Sequence, residues 1–193
     1  AAWAAATSSI RDRRACPMYG GLRIAPQMGL VPLGRDPVSG LWEFADLSTG
    51  EVAVRGEDGQ LALTEGTGLV FVLIPGGVFA MGAQRTDPAQ PNFDPGAESD
   101  ESPVFDVALD AYLISKYEMT QGQWLRLTGT NPSDTVPGST SAGHVTTHLH
   151  PVERVNWDEC TRASIQCLHG TWVRSSVFET LMLLRTDPRW PVS

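Results

Sequence analysis

The six-residue apolar run Leu69-Val70-Phe71-Val72-Leu73-Ile74 constrains this chain most. A continuous apolar stretch of strand length, bounded by turn residues, belongs to a β-strand buried on both faces. Pro75-Gly76-Gly77 stops it and Val78-Phe79-Ala80-Met81-Gly82 resumes it, which predicts a hairpin with glycines supplying the turn. Whatever else the chain does, it must cover both sides of this strand.

The flanks supply further strands. Leu41–Leu47, Val52–Val54 and Leu61–Leu63 are short runs separated by Ser48-Thr49-Gly50-Glu51 and Glu57-Asp58-Gly59-Gln60. Such spacing predicts a small β-meander over residues 22–66, too small to stand alone and therefore packed on the segment C-terminal to it. Residues 1–21 lack any period and read as a disordered or unrelated lead. Residues 83–103 form a polar, acidic, Pro-containing loop, after which Val104–Leu109 and Tyr112–Ile114 return to strand.

Two helix starts carry matching punctuation. Thr120 precedes Gln123 by three residues, the spacing of a capping box, and Gly129 stands where a helix would end. Trp124, Leu125 and Leu127 would supply its buried stripe. Asn156 and Glu159 repeat the device, with Cys160, Ala163 and Cys167 on one face and Gly170 as the stop. Residues 130–150 between the helices read as Thr/Ser/Gly/His-rich loop. Residues 171–193 show no clean pattern; Val177–Leu184 reads as a short helix ended by Pro188 and Pro191.

Charge and composition narrow the function. The 193 residues carry a formal charge of −8, which argues against nucleic-acid binding, where a basic surface supplies most of the affinity. The distribution is uneven: residues 1–35 hold five Arg and one Asp, while residues 86–110 hold seven acids and no Lys or Arg. Three cysteines do not make a disulfide framework. No apolar run approaches the ~20 residues of a membrane span, and the N-terminal order of small residues before an Arg cluster is the reverse of a secretory signal. The expectation is a cytoplasmic protein that binds neither membrane nor nucleic acid.

Four ordered blocks resemble one family. They are the strand–Pro-Gly-Gly–Phe-x-Met-Gly run Gly68–Gly82, the acidic step Asp100-Glu101-Ser102-Pro103-Val104, the segment Ala111–Thr120 with its Tyr117-Glu118-Met119-Thr120 helix start, and His150–Cys160 with Pro151-Val152 and Trp157. In this order they resemble the opening half, about residues 68–160, of a formylglycine-generating enzyme (sulfatase-modifying factor) domain. The resemblance implies an α+β protein with the family's C-type-lectin-like complex fold, truncated, with residues 67–160 as its N-terminal half. It also implies family chemistry: oxidation of a sulfatase cysteine to formylglycine with copper-bound cysteines, a calcium site whose ligands, like those cysteines, belong to the half not matched here, and a sulfatase-like protein or peptide substrate. Related domains fused to kinases in bacterial signalling proteins imply an alternative, a non-catalytic lectin-like binding module.

The family's later Leu-Pro-Thr-Glu, Asn-Val-Trp-Glu-Trp and Arg-Gly-Gly-Ser-Trp blocks, and the catalytic cysteine pair beyond them, have no counterpart here. Residues 161–193 are therefore read as a tail without family resemblance, from a changed reading frame or a truncated gene. The expectation is an inactive chain with no catalytic, cofactor-binding or metal residue assigned.

Several residues are nonetheless weighed as sites. Asp94, Glu98, Asp100 and Glu101 could offer oxygen ligands to a hard cation, but their spacing fits no EF-hand and a solvated loop is the plainer reading. His144, His148 and His150 could ligate a metal, but read better as surface histidines. Cys160 and Cys167 lie seven residues apart, about 10.5 Å along a helix, too far for a disulfide, and read as inert thiols. Cys16 has arginine neighbours that could favour a thiolate, but it lies in the lead read as disordered and nothing else supports a role for it. Tyr117, Glu118 and Thr120 read as structural, Thr120 as a cap and Glu118 as a tie to backbone amides. Trp124 and Trp157 read as core aromatics.

Overall fold

The computed structural model describes residues 1–141, 143–167, 173–176 and 179–183. In chain order the elements are α1 (Ala2–Arg11), β1 (Leu30–Arg35), β2 (Trp42–Asp46), β3 (Val54–Arg55), β4 (Leu61–Ala62), β5 (Val70–Ile74), β6 (Gly77–Met81), β7 (Phe105–Leu109), β8 (Tyr112–Ser115), α2 (Gln121–Thr128), β9 (Thr140–Ser141), β10 (His144–Val145), α3 (Trp157–Cys167), β11 (Val173–Ser176) and β12 (Glu179–Leu183). Short 3-10 turns occupy Pro17–Tyr19 and Ser99–Glu101. The chain divides into two compact units, residues 75–111 and the remainder.

The larger unit is built on a six-stranded antiparallel sheet in the order β1-β2-β5-β8-β12-β11. The apolar run predicted to be buried on both faces is β5, between β2 and β8, with Phe71 and Leu73 fully inaccessible. Its neighbour β2 is buried at every position. Partners in an antiparallel register share a face, so Phe44 and Phe71 lie on one side, Glu43 and Val72 on the other. On the first side α1 supplies Trp3, whose ring centroid is 5.2 Å from that of Phe44. On the second, Val70 packs with Ala53 and Leu61 of the β3–β4 hairpin region and with Leu33. Leu33 is the extra residue of a bulge where β1 slips against β2.

The predicted meander is corrected by the sheet order. Its three runs are strands, but Trp42–Asp46 pairs with β1 and β5 inside the main sheet rather than with Val54. Only the two-residue strands β3 and β4 form a separate hairpin. Trp42 and Phe44 require cover on one face, and on the other Glu43 is buried with its ion-pair partners, so the strand sits inside the large sheet.

Nor is the expected lead disordered. Residues 2–11 form α1, with Ala6 and Ile10 fully buried. Trp3 Nε1 donates to the Leu30 carbonyl (2.9 Å), and the Tyr19 hydroxyl donates to the Leu73 carbonyl (3.0 Å) while accepting from Trp42 N–H (2.8 Å). The small residues that blur any period in the sequence let the helix approach the sheet closely.

The smaller unit holds the two-stranded ribbon β6–β7. The predicted hairpin across Pro75-Gly76-Gly77 is therefore corrected: β5 and β6 do not pair, and the Pro-Gly-Gly step passes the chain from one sheet to another. A Cβ on Gly76 would lie 2.9 Å from the Leu109 carbonyl oxygen, so close backbone approach is what the glycine permits. The loop after β6 is held by its own side chains. Gln84 Oε1 accepts from the N–H groups of Thr86 and Asp87 (both 2.9 Å), and Asn92 Nδ2 donates to the carbonyls of Ala80 and Gly82 (both 2.8 Å).

Both helix-start predictions hold. Thr120 Oγ1 accepts from Gln123 N–H (3.2 Å), Gln123 Oε1 accepts from Thr120 N–H (2.9 Å), and Gly129 closes α2 in the left-handed region at φ 77°. Asn156 Oδ1 and Glu159 Oε2 exchange the same bonds with each other's amides at the start of α3. The short helix read over Val177–Leu184 is corrected: Glu179–Leu183 is a strand paired with β8. The Gly170 helix stop lies outside the described residues. Among the described residues no helix is long and apolar enough to cross a membrane.

Candidate functional site

The chemistry-bearing residues of the larger unit concentrate in two places. The first is a charge cluster against the sheet. Glu43, fully buried on β2, accepts from Arg55 (Nη2–Oε2 2.6 Å) and from the Lys116 ammonium. Lys116, just beyond β8, also donates to Asp36 Oδ2 at 2.8 Å. Asp36 Oδ1 in turn accepts from the amides of Val38 (3.0 Å) and Ser39 (2.7 Å) in the β1–β2 turn. The ammonium and these amides hold the Asp36 carboxyl well below the usual carboxylate range. Burial works against the Lys116 charge, but the bonds to Asp36 and Glu43 override it and raise its affinity for the proton. Two carboxylates and two cations thus satisfy one another, which is how a buried Glu is tolerated.

The second is the N-terminal half of α2. Gln121, 2% exposed, donates from Nε2 to the Thr135 carbonyl (3.0 Å) and accepts at Oε1 from Asn131 Nδ2 (2.9 Å). The amides of Gln121 and Gly122, free of intrahelical partners at a helix start, donate to the carbonyls of His150 (2.8 Å) and His148 (2.9 Å). Gln123 Nε2 reaches the Thr67 carbonyl (3.1 Å). Arg126 gathers three carbonyls: Thr49 (2.6 Å), Glu65 (2.8 Å) and Thr67 (3.0 Å). One helix face thereby fastens the loop before β5 and the loop of residues 130–151. Gly68 sits inside that junction, where a Cβ would stand 2.6 Å from the Asp46 carbonyl oxygen.

The fold gives most of the residues singled out in the sequence a structural task. Asp94 Oδ1 accepts from Gly96 N–H (2.8 Å), and Glu98 and Glu101 form a capping box around the turn at Ser99–Glu101. Asp100 is exposed. Asp94, Glu98 and Glu101 thus shape backbone. His144 lies exposed on β10, His150 Nδ1 accepts from Thr147 N–H (3.0 Å), and His148 has a buried Nδ1 without a partner among the described residues. Among the described residues no group of three His, Cys, Asp or Glu side chains is placed to hold a metal ion. Cys160 is half-buried; burial first, then the Glu159 charge, pushes its thiol up. The side chain of Cys167 lies outside the described residues. Cys16 is fully buried, 3.2 Å from Ser9 Oγ, among packed residues rather than in an open cationic setting.

Two expectations are corrected. Glu118 is exposed and makes no hydrogen bond among the described residues, so it ties down no amide. Trp157 is 50% exposed at the first turn of α3, whereas Trp124 is core. Tyr117 accepts from Ser115 Oγ at its carbonyl (2.7 Å), with its ring 5.7 Å from the Lys116 ammonium. Sequence reading missed Asp36, Glu43, Lys116, Gln121 and Arg126. The one available signal was a charged residue inside the apolar run Trp42-Glu43-Phe44-Ala45, and Lys116 is the chain's single lysine.

A mixed helix-and-strand domain whose Pro-Gly-Gly step, capped α2 and capped α3 follow in this order defines a family. The model of the sulfatase-modifying factor enzyme 1-like domain matches residues 62–163, and the chain belongs to that family. Among solved structures it is similar to PvdO from Pseudomonas aeruginosa, at 24% identity over 55% of this chain and 43% of that one, with a TM-score of 0.41. The chain thus spans less than half the length of that protein. No curated protein matches it.

The copper and calcium that the resemblance implies do not fit the described side chains. A copper–thiolate centre needs converging thiols. Cys16 is sealed in the core, and Cys160 is the one cysteine of the matched region 62–163. A calcium cage needs converging carboxylates; Asp94 and Glu101 are turned to their own backbone, and among the described residues no three acids, histidines or cysteines converge.

Proposed function

We propose that this chain contributes the scaffold part of a sulfatase-modifying-factor-type domain and is itself inactive, the thiol chemistry residing outside it. The intact parent, on this reading, has the family's C-type-lectin-like architecture and oxidises a cysteine of a sulfatase-like protein or peptide to formylglycine. The observation that carries the reading is that the matched region 62–163 holds one cysteine, Cys160, and therefore no cysteine pair. Burial, and then the Glu159 charge, also push its thiol up, away from the thiolate that reacts or binds metal. The test is direct. The purified chain is incubated with a copper(I) salt, oxygen, a thiol reductant to supply the second electron pair that oxygen takes, and a cysteine peptide, and aldehyde is followed by mass spectrometry. The expected yield equals that of the protein-free control; turnover overturns the reading.

A second reading, a non-catalytic binding module, is favoured by the β6–β7 ribbon. Register partners Phe79–Val107 and Met81–Phe105 share a face, and Phe79, Met81 and Phe105 are 45–51% exposed. Apolar side chains held in water on an ordered ribbon suit recognition. Peptide binding without conversion, lost on Phe79→Ser, would select this reading over the first.

A further inference from the structure

A groove of about 610 Å³ is lined by Thr7, Ser8, Arg11, Asp12, Arg23 and Ile24. Ser8 and Arg11, three apart on α1, share a helix face with Thr7. Arg23 and Ile24 come from the extended segment before β1.

The polar atoms of this lining are unevenly committed. The Thr7 hydroxyl donates to the Trp3 carbonyl (2.9 Å), so it offers only lone pairs to the groove. The Ser8 hydroxyl has no hydrogen bond among the described residues and remains a donor. Asp12 Oδ1 accepts from the amides of Arg14 (2.8 Å) and Ala15 (3.3 Å), so that oxygen serves its own chain. Arg11 and Arg23 differ from most arginines elsewhere in the fold. Arg35, Arg55, Arg126 and Arg154 each donate to a carbonyl or carboxylate. Arg11 and Arg23 have neither an acid partner nor a hydrogen-bond acceptor among the described residues.

We propose that this groove binds a small organic oxyanion, a phosphate ester or a dicarboxylate. Its charged end lies between Arg11 and Arg23, Ser8 donates to it, and its carbon part rests on Ile24. Guanidinium forks match the paired oxygens of carboxylate and phosphate. The volume lies within the range of small-molecule sites and exceeds what a bare ion needs. Two guanidiniums against one carboxylate leave the lining positive in a chain whose formal charge is −8.

Calorimetric titration of the whole chain at low salt tests this, with phenyl phosphate, isophthalate and the neutral benzyl alcohol as probes. Arg11→Gln and Arg23→Gln each replace an exposed side chain, and unchanged melting temperatures confirm folding. At least one anionic probe should bind, with each substitution weakening it about tenfold and benzyl alcohol giving no heat. The tighter of the two anions identifies the charged group. Arg13→Gln, outside the groove, should change affinity less than about twofold. Absence of binding by both anions, equal binding of benzyl alcohol, or equal losses in all three variants would each overturn the proposal, the last by showing a diffuse basic surface.

Discussion

Lys116 Nζ stands 2.8 Å from Asp36 Oδ2, although 80 residues separate them in the chain. The same ammonium holds Glu43, so one lysine joins the β1–β2 turn, the core of β2 and the end of β8. Removing Lys116 leaves buried Glu43 with Arg55 alone and takes from Asp36 its cation. Lys116→Met should therefore destabilise the fold by about 3–5 kcal/mol, measured by urea unfolding at pH 7. The double variant Lys116→Met/Glu43→Gln should recover part of that loss, because the buried charge left with half its compensation goes with it.

The same cluster sets a pH dependence. Asp36 has its folded affinity for protons depressed by Lys116 and the turn amides, from an ordinary value of 3.8. Its contribution is therefore complete above that value and is lost as the pH falls below it. Lys116 has its affinity raised from 10.5, so its contribution is complete below that value and is lost as the pH climbs above it. The stability gap between wild type and Asp36→Asn should be widest near neutrality and should narrow steadily from about pH 4 down past pH 2. A gap that stayed constant over that interval would contradict the assignment.

Arg126 gathers the carbonyls of Thr49, Glu65 and Thr67. Arg126→Ala should cost about 2 kcal/mol. It should also speed hydrogen exchange at Gly66, Gly68 and Leu69, leaving amides in β1 unaffected. Arg126→Lys should recover less than half of the loss, since an ammonium cannot reproduce a planar fork.

Tyr19→Phe removes one hydroxyl and leaves two buried backbone groups, Trp42 N–H and the Leu73 carbonyl, without that partner. The expected loss is about 1–3 kcal/mol. At alkaline pH the wild-type phenol should titrate late, because burial pushes it up to about 12. Ultraviolet difference spectroscopy against Tyr19→Phe isolates its transition.

Cys160 should react slowly. With its thiol pushed up by burial and by Glu159, alkylation by iodoacetamide at pH 7 should run below the rate of a free cysteine peptide. Full denaturation should abolish the difference. Peptide mapping separates Cys160 from Cys16 and Cys167.

The local rules of the fold were written plainly in the sequence, and its long-range pairings were not. Leu69–Ile74 announces a strand buried on both faces, and Thr120, Gln123 and Gly129 announce α2 from cap to cap, because these signals depend on near neighbours. The partners of β2 depend on which surfaces meet, so Trp42–Asp46 read as part of a meander although it lies within the main sheet. The α1 helix escaped notice because alanines bury little apolar area, and its buried face reduces to Ala6 and Ile10 beside the half-buried Trp3. The charge cluster was illegible for a different reason: no spacing rule connects positions 36, 43, 55 and 116. Trp157 was misjudged because an aromatic at a helix start is core only when another element covers it.

The ends of the smaller unit have a consequence of their own. Residues 75–111 leave the sheet after Ile74 and rejoin it at Tyr112, and those two residues are direct partners across β5 and β8. The excursion is thus hung from a single rung of the ladder. Its length can grow, shrink or be exchanged while every rung on either side keeps its place, since loop closure between fixed neighbours costs little more as the loop lengthens.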